Sequence, residues 1–155
     1  MDIINDGWDL MIAHPPCTFL TIAANKWMKP EYSDKYPTRH QDREDAADFF
    51  MALYNAPIPK VCIENPIGVM SSRFRKPDCV IQPWMFGHGE TKATCLWLKG
   101  LQRLIPTHLK GDMFAHEEPE EREQRLHKLP PSADRWKLRS TTYQGIANGM
   151  AEQWG

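Results

Sequence analysis

Leu10-Met11-Ile12-Ala13 runs straight into His14-Pro15-Pro16-Cys17, and few folds accommodate that transition. Four consecutive apolar residues fit a buried strand. Proline ends a strand because it fixes φ and has no N–H to give to the ladder. Cys17 is therefore carried on a stiff loop at the carboxyl end of a strand. In open α/β sheets that end is where ligands and chemistry gather. A thiol inside the strand would serve packing, whereas a thiol on this loop can be a nucleophile.

A second apolar run, Val61-Cys62-Ile63, is also cut off at a proline, and it leaves Glu64-Asn65-Pro66 at its tip. Cys17 and Glu64 are 64 − 17 = 47 residues apart, room for a crossover unit of about 30 residues or more. Between them, Gln41 to Asn55 has a helical pattern, with Ala46, Ala47, Phe49, Phe50, Leu53 and Tyr54 recurring every three or four residues. Ala56-Pro57-Ile58-Pro59 stops it. Two neighbouring parallel strands joined this way would bring both tips to one edge of the sheet, where a cysteine beside a glutamate suits covalent attack assisted by an acid. Thr91 to Leu98 gives a third strand, and Ser140 to Trp154 gives a closing helix through Ile146, Ala147, Met150, Ala151 and Trp154. The expected architecture is α/β, a mostly parallel sheet flanked by helices. It forms a single domain over residues 1–155, with a polar insertion at about 110–135.

The net charge of −1 makes any nucleic-acid site a local basic patch. The candidate is Arg73-Phe74-Arg75-Lys76, whose cations and interleaved ring suit contacts to phosphates. The N-terminus has no basic region followed by an apolar core, and no apolar run approaches the ~20 residues that span a bilayer. A cytoplasmic protein without membrane contact is expected. Cys17, Cys62, Cys79 and Cys95 contain no close pair, so no metal site is expected. Cys62 and Cys95 sit inside apolar runs as small hydrophobes.

In their order along nearly the whole chain, these segments resemble the DNA (cytosine-5)-methyltransferases. His14-Pro15-Pro16-Cys17 resembles that family's Pro-Pro-Cys catalytic loop, and Glu64-Asn65-Pro66 resembles its Glu-Asn-Val strand tip. Glu90-Thr91-Lys92-Ala93-Thr94-Cys95-Leu96-Trp97-Leu98 occupies the place of its Gln-x-Arg-x-Arg strand, and Tyr143-Gln144-Gly145-Ile146-Ala147 is similar to the C-terminal segment that returns to the cofactor. More closely, the chain is similar to a group of phage-borne proteins described as DNA cytosine methyltransferase-like.

The resemblance implies the catalytic half of a Rossmann-like, S-adenosylmethionine-dependent methyltransferase fold in a phage-encoded protein. Cys17 would add to cytosine carbon 6, and Glu64 would be the acid at N3 and the exocyclic amine. Pro15, Pro16, Asn65, Lys92 and Thr94 would contact the base, Arg73, Arg75 and Lys76 the DNA backbone, and Tyr143 and Gly145 the cofactor. A base must leave the duplex to be reached, and the aromatic-rich loop at 19–36 could support it. In the family the cofactor site lies largely ahead of the Pro-Pro-Cys strand, and 13 residues precede His14 here. The expected partners are therefore DNA or a cytosine nucleotide, together with a second copy or a complementary chain that completes cofactor binding. An inactive phage-derived module that binds nucleic acid or a host protein is the other reading.

Overall fold

The computed structural model describes residues 2–108, 130, 132 and 140–155. The polar insertion expected at about 110–135 lies outside the described residues except for 130 and 132. The chain forms two compact units, Met1–Val80 with Thr94–Arg103, and Ile81–Ala93 with Leu104–Gly155.

The first unit is built on β1 (Leu10–Ala13), α1 (Arg39–Tyr54), β2 (Lys60–Pro66), the one-turn helix α2 (Met70–Arg73), β3 (Cys79–Ile81) and β4 (Thr94–Lys99), in the sheet order β1-β2-β4-β3. Two 3-10 helices, Ile22–Met28 and Pro30–Tyr32, fill the stretch ahead of α1. The fold is α/β, but the sheet is mixed rather than mostly parallel. β1 and β2 pair in parallel, with Ala13 opposite Ile63, whereas β4 returns antiparallel to β2, with Glu64 opposite Leu96. The reason lies in the connections. A parallel return needs a crossover of about a dozen residues or more, usually a helix. α1 supplies one between β1 and β2, while the single turn of α2 supplies none between β2 and β4. Pro66 can end β2 because it pairs only with the first residue of β4, Thr94.

Alternation along β2 sorts its side chains. Val61 and Ile63 lie in the core beneath α1 with Ala47, Phe50, Leu53, Leu20 and Met70, so Cys62 and Glu64 face the other side of the sheet. Phe50 meets Trp97 of β4 edge-on at 5.2 Å, and both rings are fully buried. The Trp97 indole N–H donates to the Arg75 carbonyl at 2.8 Å, which satisfies its one polar atom.

Asp78 ties the end of the sheet together. One of its oxygens, Oδ2, accepts both the Arg75 guanidinium and the Leu98 N–H at 2.7 Å. Burial pushes its pKa up, but the Arg75 and Leu98 hydrogen bonds and the charges of Arg75 and Arg103 outweigh burial and hold it below the usual aspartate value. A carboxyl depressed on folding adds stability above its unfolded pKa of about 3.9 and loses it as pH falls through the lower folded value. Asp78→Asn is therefore expected to destabilise the protein by about 2 kcal/mol at pH 7 and by progressively less below pH ~4. Urea titrations across that range check this; a pH-independent loss would contradict it.

In the second unit, the 3-10 helix Pro83–Phe86 packs against α3 (Gln144–Trp154), with Phe86, Ile146, Met150 and Trp154 buried. The Gln153 amide brackets Ile105, donating to its carbonyl at 2.9 Å and accepting its N–H at 2.8 Å. Among the described residues no helix is long and apolar enough to cross a membrane.

Candidate active site

The parallel β1–β2 register decides what meets at the sheet tip. With Ala13 opposite Ile63, the next residue along each strand is His14 on one side and Glu64 on the other. Their side chains share the face turned away from α1, and His14 Nδ1 lies 3.0 Å from Glu64 Oε2. Glu64 is largely buried, with 14% of its side chain exposed against 43% for His14. The following pair of residues locks the loop. The buried Asn65 side chain donates its amide N–H to the Pro15 carbonyl at 3.0 Å. Asn65, read from the sequence as a base contact, is thus the tie between β2 and the loop. Pro15 is buried beneath it, while Pro16 is exposed.

Cys17 follows at the point where the chain reverses. Its carbonyl accepts the Leu20 and Thr21 N–H groups at 3.0 and 3.1 Å, and its side chain is partly exposed. Two further anchors hold this turn. The segment after β2 clasps it, with Val69 N–H donating to the Leu20 carbonyl at 2.8 Å and Thr21 bridging Gly68. From α1, the buried Arg43 donates to the Phe19 carbonyl and to Asn25 Oδ1, each at 2.9 Å. The sequence reading missed both. A glycine two residues beyond Asn-Pro was the available signal for the first, and an arginine on the apolar side of α1 for the second.

The four cysteines separate by environment. Burial pushes the Cys62 thiol far above its ordinary range, with the Glu64 carboxylate adding to it, and pushes Cys95 up to about 11. Both stay protonated at neutral pH and serve packing. Cys17 is the cysteine carried on the anchored loop. Iodoacetamide at pH 8 is expected to modify Cys17 and the partly exposed Cys79 in the native protein, and Cys62 and Cys95 only in denaturant. Peptide mass mapping distinguishes this from equal labelling of all four, which would contradict it.

The other expected site residues lie elsewhere. Thr94 is buried opposite Pro66, on the face that carries Glu64. Lys92 belongs to the second unit, where its N–H donates to Gln82 Oε1 at 2.9 Å. Arg73 makes a two-pronged ion pair with Glu44 at 2.6 Å, and Arg75 is held by Asp78, the Tyr54 hydroxyl and the Leu98 carbonyl. Arg75 braces the fold, while Arg73, in its surface ion pair with Glu44, and Lys76 are exposed.

Tyr143 and Gly145 also lie in the second unit. The Tyr143 hydroxyl donates to Glu90 at 2.7 Å, and the Gly145 N–H donates to His88 Nε2 at 3.0 Å. A Cβ on Gly145 would sit 1.9 Å from the Phe86 carbonyl oxygen, so the glycine is there for close packing of α3 on the 3-10 helix. Both residues are engaged in contacts within this unit. Among the described residues no cluster of three or more His, Cys, Asp or Glu side chains could hold a metal ion.

A shallow groove of about 330 Å³ runs beside the loop along α1, lined by Pro16, Phe19, Asp42, Asp45, Ala46 and Phe49. Cys17 and Glu64 are not part of its wall. No family model, no curated protein and no solved structure matches this chain.

Proposed function

We propose that this chain acts on cytosine in nucleic acid, with Cys17 as the nucleophile that adds to carbon 6 and Glu64 as the acid that engages N3. The observation that supports it is the β1–β2 register, which brings a strand-tip carboxyl next to a proline-stiffened loop ending in a partly exposed thiol. In the step proposed, the thiolate sulfur forms a bond to carbon 6. The carbon 5–carbon 6 π pair moves into the ring as Glu64 gives a proton to N3. Carbon 5 becomes electron-rich, the condition in which it can accept a methyl group. N3 then returns its proton to Glu64, the carbon 5 proton passes to water, and the pair it leaves re-forms the carbon 5–carbon 6 double bond as the sulfur departs as thiolate. In this reading β1, α1 and β2 correspond to the catalytic half of a Rossmann-like methyltransferase.

The methyl donor in the proposal is S-adenosylmethionine, held by a second copy or a complementary chain, since the Tyr143 hydroxyl and the Gly145 N–H are already bonded within the chain. DNA is the substrate the cations favour. Lys26 lies 4.2 Å over the Trp27 ring, Lys35 5.5 Å over Tyr36, and Arg39 4.7 Å over Phe19. Trp27 packs edge-on against Tyr32 and Tyr36. None of these cations enters an ion pair among the described residues. Rings and unpaired cations together suit stacking on bases and contact with phosphates. These cations, on the loop after Cys17 and at the start of α1, would add to the exposed Arg73 and Lys76 as contacts to the DNA backbone. The same surface favours a second reading, a nucleic-acid-binding module without turnover.

Covalent trapping separates the two. DNA carrying 5-fluorocytosine, incubated with the chain and S-adenosylmethionine, should give a Cys17-dependent adduct that includes the methyl group, read as intact mass with Cys17→Ala as control. Protein that binds this DNA and keeps its unmodified mass would favour the binding module.

A further inference from the structure

The carboxyl of an acid that must meet one edge of a base has to be held in one rotamer. Among the described residues the ion-pair partner of Glu64 is His14, whose Nδ1 lies 3.0 Å from Oε2. The residue of β4 directly opposite Glu64 is the aliphatic Leu96. The residues of β4 on the Glu64 face are Thr94, Leu96 and Leu98, opposite Pro66, Glu64 and Cys62, and two of the three are aliphatic. The holding group comes instead from the other neighbour, β1.

His14 Nδ1 and Glu64 Oε2, 3.0 Å apart, need one hydrogen between them, since two bare acceptors would repel. With the proton that Glu64 gives to the base on Oε1, that hydrogen sits on Nδ1. The backbone behind this donor is stiff. A residue before proline is confined to extended conformations, and the carbonyl of the buried Pro15 is fixed by Asn65. The Oε2 atom of Glu64 is occupied, and no donor among the described residues is bonded to Oε1.

We infer that His14 is the positioning residue of this site: its Nδ1–H holds Glu64 Oε2 and presents Oε1 to the base. The 3.0 Å pairing stands on the geometry alone, while the hydrogen bond and the positioning role rest on the reading of Glu64 as the base-binding acid.

Two measurements test it. ¹⁵N correlation spectra of the imidazoles, assigned by the signal lost in His14→Asn, are expected to show a protonated Nδ1 at His14. A bare Nδ1 with Nε2–H overturns the inference. The second measurement is the rate of Cys17 adduct formation on an oligonucleotide with pyrimidin-2-one in place of cytosine, a base that lacks the 4-amino group and is the better electrophile at carbon 6. His14→Ala should slow the adduct by up to about 100-fold, the order of loss when a reacting group is displaced by about an ångström, with oligonucleotide affinity unchanged. His14→Asn, whose amide N–H takes the place of Nδ1–H, should recover most of the rate, which a proton-transfer role for the imidazole would not allow. His14→Ala should add no further loss to Glu64→Gln, because the two act as a unit. A wild-type adduct rate that His14→Ala leaves unchanged overturns the positioning role alone. A wild type that forms no adduct overturns the reading of the site and the role with it, whatever the imidazole spectrum.

Discussion

Alanine at Gly68 is expected to lower the stability of the protein by about 3 kcal/mol, and the melting temperature by roughly 6–12 °C. The added Cβ would lie 2.0 Å from the Leu20 carbonyl oxygen and 2.9 Å from its carbon. That carbonyl cannot simply retreat, because it accepts the Val69 N–H and belongs to a fully buried residue. The strain is relieved by pushing the turn that begins at Cys17 off the segment that follows β2. Two signatures should therefore appear together: a lower calorimetric midpoint and faster alkylation of Cys17. A Gly68→Ala protein that melts with the wild type would show that the clasp does not hold the loop.

Glu64→Gln is expected to slow adduct formation at Cys17 by about 10²- to 10⁴-fold, the range over which positioned acids act, while changing stability by less than about 1 kcal/mol. Glutamine keeps the size of the side chain and an oxygen for His14 Nδ1, so the local packing survives. It cannot deliver a proton to N3. Single-turnover rates with matched circular dichroism spectra distinguish the outcomes. A Glu64→Gln protein as fast as the wild type would leave Glu64 a structural cap on β2.

The elements that build this tip were legible because proline interrupts apolar runs twice, after Ala13 and at Pro66, and because the α1 pattern between them is long enough for a crossover. α1 was expected at Gln41 to Asn55 and spans Arg39–Tyr54. The strand expected at Thr91 to Leu98 is β4, Thr94–Lys99, while the short β3 at Cys79–Ile81 was not expected. The closing helix was expected from Ser140 and spans Gln144–Trp154. Periodicity marks that a strand exists but not its direction. The antiparallel return of β4 was implied only by the lack of a helix of crossover length between residues 67 and 93.

The role of His14 was hidden for a related reason. A histidine before two prolines carries no signal of its own, and it becomes Glu64's neighbour only once Ala13 is set opposite Ile63. The partners of the basic cluster were hidden in the same way. Arg73 and Arg75 looked available in sequence, but Glu44, 29 residues earlier, and Asp78 hold them. Fold-stabilising and ligand-facing arginines look alike until their acidic partners are placed. The cations on the loop after Cys17 were passed over because they are spread among aromatic residues rather than clustered.

Addition by Cys17 is the claim on which the rest depends, and it can be measured without a methyl donor. The full chain is mixed with single-stranded and duplex oligonucleotides carrying pyrimidin-2-one, and intact mass is read for the wild type and for Cys17→Ala. We expect a one-to-one protein–oligonucleotide adduct that maps to Cys17 and disappears in the variant. Unmodified protein with both oligonucleotides, under conditions where they bind, would contradict the account.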